Sequence, residues 1–277
     1  MPLPVLSARQ VLAADLRGSS WPVVVSTDAG MRFTKLRGAG QGVLPLIAEI
    51  IVASIAEAIG LRVPSRCLVA IEPGIESLNK RDELRDLLDR SVGLNLGFKY
   101  LDGARMVLPS DIGKISDDDA AAIVWLDAFV MNPDRTARNT NLMFFRDDLW
   151  LIDHGAALAF QYSWNDVTES APARAFAPGD PHLLQSRIGN GMIEQWDELF
   201  AHRLTRETLA DAVADVPDDF LVASGVAHEP AALSRRRAAY VAFLWKRLKS
   251  PRDFFVPLAT VATPRARVRP DWLQRRS

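Results

Sequence analysis

A single cysteine, Cys67, stands among 277 residues. That excludes an intrachain disulfide and a cysteine-built zinc site. An excess of either charge is missing as well, since 33 Lys and Arg face 34 Asp and Glu. This near-balance argues against a general nucleic-acid coat and against a disordered acidic chain, so no direct nucleic-acid partner is expected. No run approaches about 18 apolar residues, and no membrane-spanning helix is expected. The stretch "MPLPVLSARQVLAADLRG" has no basic start followed by a long apolar block, so no signal peptide is expected. Internal repeats and low-complexity blocks are also missing. The expected location is the cytoplasm, without a membrane partner.

Nearly half of the residues are apolar, enough for a sizeable core in one large domain or two small lobes. "WPVVVSTDAGMRFTKLRG" (21–38) reads as a hairpin, with β-rich residues 23–25, a turn at Asp28-Ala29-Gly30 and a return over 31–36. After the loop "GAGQG" (38–42), Pro45 opens a helix that stops at Gly60, a good residue just past a helix end. Residues 65–74 read as a strand, 79–91 as a charged surface helix, and 94–108 as extended or irregular. "SDDDAAAIVWLDAFVMN" (116–132) is a helix with a Ser116/Asp119 capping box, and Pro133 ends it. Strands follow at 142–145 and 149–152, and then the chain turns helical over 192–204, 205–216 and 232–250. This order of a β-rich front, one inserted helix and a mostly helical back predicts an α+β protein with two lobes rather than a doubly wound sheet.

The polar groups concentrate in "NPDRTARNTNLMFF" (132–145) and "RDDLWLIDHG" (146–155). With a symmetric three-residue loop, Phe145 faces Leu149 and Asn141 faces Asp153, with Asn139 just beyond at the same open end. Asp134, Asn139 and Asp153 then converge. A carboxylate and an amide oxygen are hard ligands suited to Mg²⁺ beside substrate phosphates. A carboxylate left off the metal can orient and deprotonate a hydroxyl. Asp-x-x-x-x-Asn is the protein-kinase catalytic-loop spacing, and a strand-end Asp with Gly one residue further on matches the metal-binding Asp-x-Gly. The plain alternative is an Asx-rich turn between a helix and a hairpin.

A kinase also needs a strand Lys for the phosphates and a helix Glu to hold it. Lys35 ends the apolar strand "MRFTKL", although a strand Lys also serves simply to guard an edge. Glu49 shares a small-residue face with Leu46, Ala53 and Ala56, while Glu57 competes as a solvated helix charge. Ahead of Lys35, "RGSSWP" (17–22) is expected to open the first strand. Gly18, Ser19 and Ser20 there could cover phosphates with backbone N–H groups and hydroxyls, although the stretch is no GxGxxG.

Together, "MNPDRTARNTNLMFF…LWLIDHGAAL", "FTKL" and "AEIIVASIAEAIGLRVP" resemble the HipA-like serine/threonine kinases over most of residues 15 to 160. The resemblance implies a two-lobed protein-kinase-like fold using ATP and Mg²⁺. It implies Asp134 as catalytic base, Asn139 and Asp153 as metal ligands, and Lys35, braced by Glu49, as phosphate contact. In the best-known members the kinase is a toxin that phosphorylates a translation component and is restrained by a DNA-binding antitoxin, so an antitoxin-like regulator is conceivable here. The sequence is much shorter than full-length HipA toxins and is expected to lack their extra N-terminal subdomain, so it resembles the compact HipA-like kinases. The same pattern is similar to phosphoinositide lipid kinases, and fold does not choose the acceptor. The expected division is a nucleotide-covering part over 1–110, a helical part over 111–263 and a basic tail over 264–277.

Other residues carry weaker messages. His154 replaces the usual Phe after the metal Asp and is read as packing. His182 is read as structural, with a site role as the alternative. Trp125, Trp150, Trp196 and Trp245 are read as core. Segment 156–180 occupies the activation-loop position, where Ser163, Thr168 and Ser170 could accept phosphate. Three functions stay open: a protein kinase, a kinase of a small molecule or lipid headgroup, and a non-catalytic nucleotide-binding pseudokinase.

Overall fold

The computed structural model describes residues 2–15, 21–189 and 192–250. The front of the chain is a sheet of six strands: β1 (Val5–Ala14), β2 (Val23–Thr27), β3 (Gly30–Lys35), β4 (Arg66–Ile71), β5 (Glu76–Ser77) and β6 (Gly93–Lys99). Their order is β2-β3-β6-β4-β1-β5, and β1 also pairs with β2, which closes five of them into a ring. The β2–β3 hairpin turns at Gly30, whose φ of 92° suits glycine. β1 was not foreseen. Its exposure alternates along the strand, but its residue types do not follow, since Gln10 is half-buried and Val5 is exposed. Its place comes from pairing with β2 on one side and with β4 and β5 on the other. The stretch 17–22 therefore follows a strand rather than opening the first one, and Gly18, Ser19 and Ser20 lie outside the described residues. So does the basic tail.

Between β3 and β4 runs α1 (Leu44–Ala58), with Pro45 in its first turn. Gly60 follows its end with φ of 96°, and Leu61 N–H returns to the Ala56 carbonyl at 2.9 Å. Ten of its fifteen residues are buried, Glu49 among them. A helix apolar nearly all round must be covered on more than one side. α1 meets that need by packing on α5 (Arg206–Ala214) and α6 (Asp218–Ala223), so the back of the chain grips the helix of the front. The short α6 was also unforeseen. α2 (Asp82–Arg90) packs Leu84, Leu87 and Leu88 against Val11, Val25 and Val69 of the sheet.

The back part begins with α3 (Asp117–Val130), where Ser116 Oγ accepts from Asp119 N–H at 3.0 Å. α3 ends at Met131, left-handed with φ of 56°, two residues before Pro133. A small sheet of β7 (Arg105–Met106), β8 (Leu142–Phe145) and β9 (Asp148–Leu151) follows. α4 (Met192–Arg203) and α7 (Pro230–Lys249) complete the α-helices among the described residues. Buried Arg247 of α7 donates to the carbonyls of Ala128 and Phe129 at the end of α3, and to those of Pro172 and Arg174. It thus ties residues 172–174 to the helix that feeds residues 132–141. Trp125 is fully buried, whereas Trp150, Trp196 and Trp245 are half-buried.

The β8–β9 register corrects the expected one. The hairpin closes through two residues rather than three: Phe145 pairs with Asp148, and Leu142 with Leu151. Arg146 and Asp147 both have positive φ, 51° and 64°. This is the primed-turn pattern whose twist matches the strands. The slip of one residue puts Asn141 opposite Ile152, whose N–H donates to the Asn141 carbonyl at 3.1 Å, instead of opposite Asp153.

Candidate active site

Lys35 closes β3, and Glu49 sits in the second turn of α1, facing it. Lys35 Nζ pairs with Glu49 Oε1 and, at 2.6 Å, with Asp153 Oδ1. Lys35 is 7% exposed and Glu49 0%. Burial opposes the Lys35 charge, yet Glu49 and Asp153 together hold its proton above the ordinary lysine range. Burial likewise raises the Glu49 carboxyl, against the pull of Lys35. Gly155 N–H donates to the same Glu49 oxygen at 3.1 Å. A Cβ at Gly155 would lie 3.2 Å from Pro45 Cβ and 3.6 Å from Glu49 Oε1, so the glycine permits this close approach. Glu57 points elsewhere and pairs with Arg66 at 2.7 Å, as a partly solvated helix charge would.

Asp153 follows β9 with φ of 57°, and its side chain is 40% exposed. Asp134 is half-buried in the loop after α3. Its Oδ2 accepts from Asn139 Nδ2 at 2.7 Å and from Asn141 Nδ2 at 3.2 Å. Asn141 Nδ2 also lies 3.4 Å from the Asp153 carbonyl. Lys35, Glu49, Asp134, Asn139 and Asp153 are thereby joined in one connected set. The partly exposed Asp153 carboxylate and the Asn139 amide oxygen are hard-oxygen donors, a chemistry that fits Mg²⁺ held jointly with phosphates. Gly18, Ser19 and Ser20, expected to cover those phosphates, fall outside the described residues.

A second layer went unread in the sequence. Asp127, 0% exposed in α3, receives Arg135 Nε at 2.6 Å, Asn132 Nδ2 at 2.8 Å and His182 Nε2 at 2.9 Å. Arg135, also fully buried, gives its Nη1 to the Asn141 carbonyl. Asn132 Oδ1 accepts from Asp134 N–H at 3.2 Å. The chain from residue 132 to 141 is thus hung on Asp127. Burial alone would raise the Asp127 carboxyl, but the Arg135 charge and His182 hold it well below the usual carboxylate range. The available signal was a lone Asp inside "VWLDAFV", since a charge in so apolar a helix needs a partner. His182 is structural, as read: its Nδ1 accepts from Leu184 N–H at 3.1 Å. His154 packs at 1% exposure, and burial, with the nearby Arg135 charge, pushes it down to about 3.

The solved crystal structure of a Helicobacter pylori proinflammatory kinase, CtkA, is similar to this chain with a TM-score of 0.53 and 12% sequence identity, over 88% of this chain and 98% of that one. At that identity the likeness concerns the fold. No curated protein matches the chain in sequence. A family model described as HipA-like kinase matches residues 9–240. That match spans most of the β-rich front, α1, the loop with Asp134 and the β8–β9 hairpin, and the chain belongs to the HipA-like kinase family.

Proposed function

We propose that the chain is an ATP- and Mg²⁺-dependent kinase that phosphorylates a hydroxyl group, with protein Ser/Thr as the acceptor. The observation that carries this reading is the convergence of Lys35, Glu49, Asp134, Asn139 and Asp153 from separate segments into one hydrogen-bonded set. Their joint presence also favours a catalyst over a pseudokinase. Asp153 and Asn139 would hold Mg²⁺, and bound Mg²⁺ would neutralise charge on the transferring phosphoryl group. Lys35, freed in part from Asp153, would offer its ammonium to the phosphates, with Glu49 keeping it in place. Asp134 Oδ2 is occupied by two amides, whereas Oδ1 has no hydrogen-bond partner among the described residues. Oδ1 is the atom that orients the acceptor hydroxyl and takes its proton. The pairing of β7 with β8 supports moving the boundary between the two parts from residue 110 back to residues 100–104.

Nucleotide binding is expected to depend on metal. At a concentration about a hundred times the dissociation constant, Mg·ATP should add about 2.7 kcal/mol and raise the melting midpoint by several degrees. ATP with EDTA should give little of that shift in a thermal denaturation series, and equal shifts with and without EDTA would sink the metal assignment. Among the helix acids, Glu49→Gln should slow transfer of label from γ-labelled ATP about tenfold or more, the loss of one charge-assisted hydrogen bond. Glu57→Gln should leave the rate near that of the unaltered chain.

A further inference from the structure

Asn141 stands between the two functional carboxylates, and the kinase-like spacing of Asp134 and Asn139 leaves it without a part. Its backbone is left-handed, with φ of 48°, in a residue only 2% exposed. Such a conformation costs free energy outside glycine and persists only where the surroundings enforce it. Here they do. The Asn141 carbonyl accepts from Ile152 N–H at 3.1 Å and from Arg135 Nη1, itself fixed by Asp127. The fixed backbone aims the amide at Asp134 Oδ2, 3.2 Å away, and at the Asp153 carbonyl, 3.4 Å away.

We infer that Asn141 is a positioning residue for phosphotransfer, an inference that rests on the kinase reading above. Its amide holds Asp134 by Oδ2, leaves Oδ1 for the acceptor hydroxyl, and links that carboxylate to the backbone of the metal-side Asp153. The amide of Asn139 shares Oδ2 at 2.7 Å, but Asn139 must also offer its oxygen to the metal. A side chain serving two ligands moves when either one does. Asn141 is buried and anchored through its own carbonyl, so its hold on Asp134 does not depend on whether metal is bound.

The competing explanation is that Asn merely tolerates the left-handed backbone. Two variants separate the readings. Asn141→Gly adopts positive φ without strain and removes the amide. Asn141→Asp keeps the shape of the side chain but sets an acceptor against Asp134 Oδ2. Three quantities are measured for each full-length chain: the rate at which phosphate leaves γ-labelled Mg·ATP for protein or water, the affinity for a non-hydrolysable Mg·ATP analogue by calorimetry, and the melting midpoint. Asn141→Gly should turn over about 10- to 100-fold more slowly, the cost of a misplaced catalytic group, with analogue affinity within about twofold of the unaltered chain. Asn141→Asp should be slower still. Asn139→Ala, by contrast, should lose affinity and rate together.

A wild-type rate in Asn141→Gly, or a fall in its analogue affinity in step with its rate, overturns the inference. Should Asn141→Gly fail to fold, a wild-type rate in Asn141→Asp overturns it equally. An unaltered chain that binds no Mg·nucleotide and releases no label overturns the kinase reading and this inference together. An active one whose Asn141→Gly variant is equally active overturns this inference alone.

Discussion

Asp134→Asn is expected to abolish phosphotransfer while leaving Mg·ATP affinity close to that of the unaltered chain. An amide can still offer its oxygen to Asn139 and Asn141 where Oδ2 now accepts. Its NH₂ group then occupies the Oδ1 position and cannot take a proton from an acceptor hydroxyl. General-base removal costs about a hundred- to ten-thousand-fold in rate, and a group used only in the transition state should leave ground-state binding alone. Asp153→Asn should behave differently. It removes the partly exposed carboxylate proposed to hold the metal and one of the two anions that face Lys35. Both affinity and turnover should fall. Calorimetry with a non-hydrolysable ATP analogue, paired with label transfer from γ-labelled ATP, measures the two quantities. If Asp134→Asn loses Mg·ATP binding and Asp153→Asn keeps it, the roles are exchanged. If neither change alters binding or turnover, residues 132–155 are a polar turn and the kinase reading fails.

The groups legible in the sequence are those whose spacing is set locally. Asp134 and Asn139 share one tight loop, and the Asp-Arg-x-x-x-Asn spacing keeps them together whatever surrounds them. Glu49 was legible because a charge within "LIAEIIVASIAEA" needs a partner, and Lys35 was the strand cation just before it. What escaped depended on distant partners or on backbone conformation. β1 alternates in exposure without alternating apolar and polar residues, with Gln10 half-buried and Val5 exposed, so its neighbours on both edges define it. The hairpin register turned on Arg146 and Asp147 taking positive φ, which Asn-Gly would have advertised and Arg-Asp does not. Asn141 does lie beside Asp153, though not by the pairing that a three-residue hairpin loop would give. It meets Asp153 through its side chain across a left-handed bend rather than as a ladder partner. The contact of Asp127 with His182 spans 55 residues, a distance at which no periodicity carries information.

That buried contact carries the largest stability effect expected. Asp127→Ala should destabilise the chain by about 3–5 kcal/mol, because it leaves Arg135 charged, fully buried and without its anion. Asn132 and His182 lose an acceptor in the same change. The effect has a pH signature. The Asp127 carboxyl is held below its ordinary value in the folded chain, so its contribution is fully present above the unfolded carboxylate pKa of about 4 and is lost as pH falls below it. Denaturant unfolding should therefore show a gap between the unaltered chain and Asp127→Asn that is widest near neutral pH and shrinks below about pH 4. A gap that stays constant into acid would mean the carboxylate is not what Arg135 requires. Replacing both members of a buried pair with apolar residues of similar volume is often nearly neutral, so Asp127→Leu combined with Arg135→Met should recover much of the lost stability. It should not recover phosphotransfer. Without Arg135 the Asn141 carbonyl keeps only the Ile152 N–H, and without Asp127 the Asn132 amide that steadies the Asp134 backbone loses its anchor. A stable double variant with a wild-type rate would show that the buried ions serve folding alone. A stable but slow one would show that they set the geometry of the loop that bears Asp134.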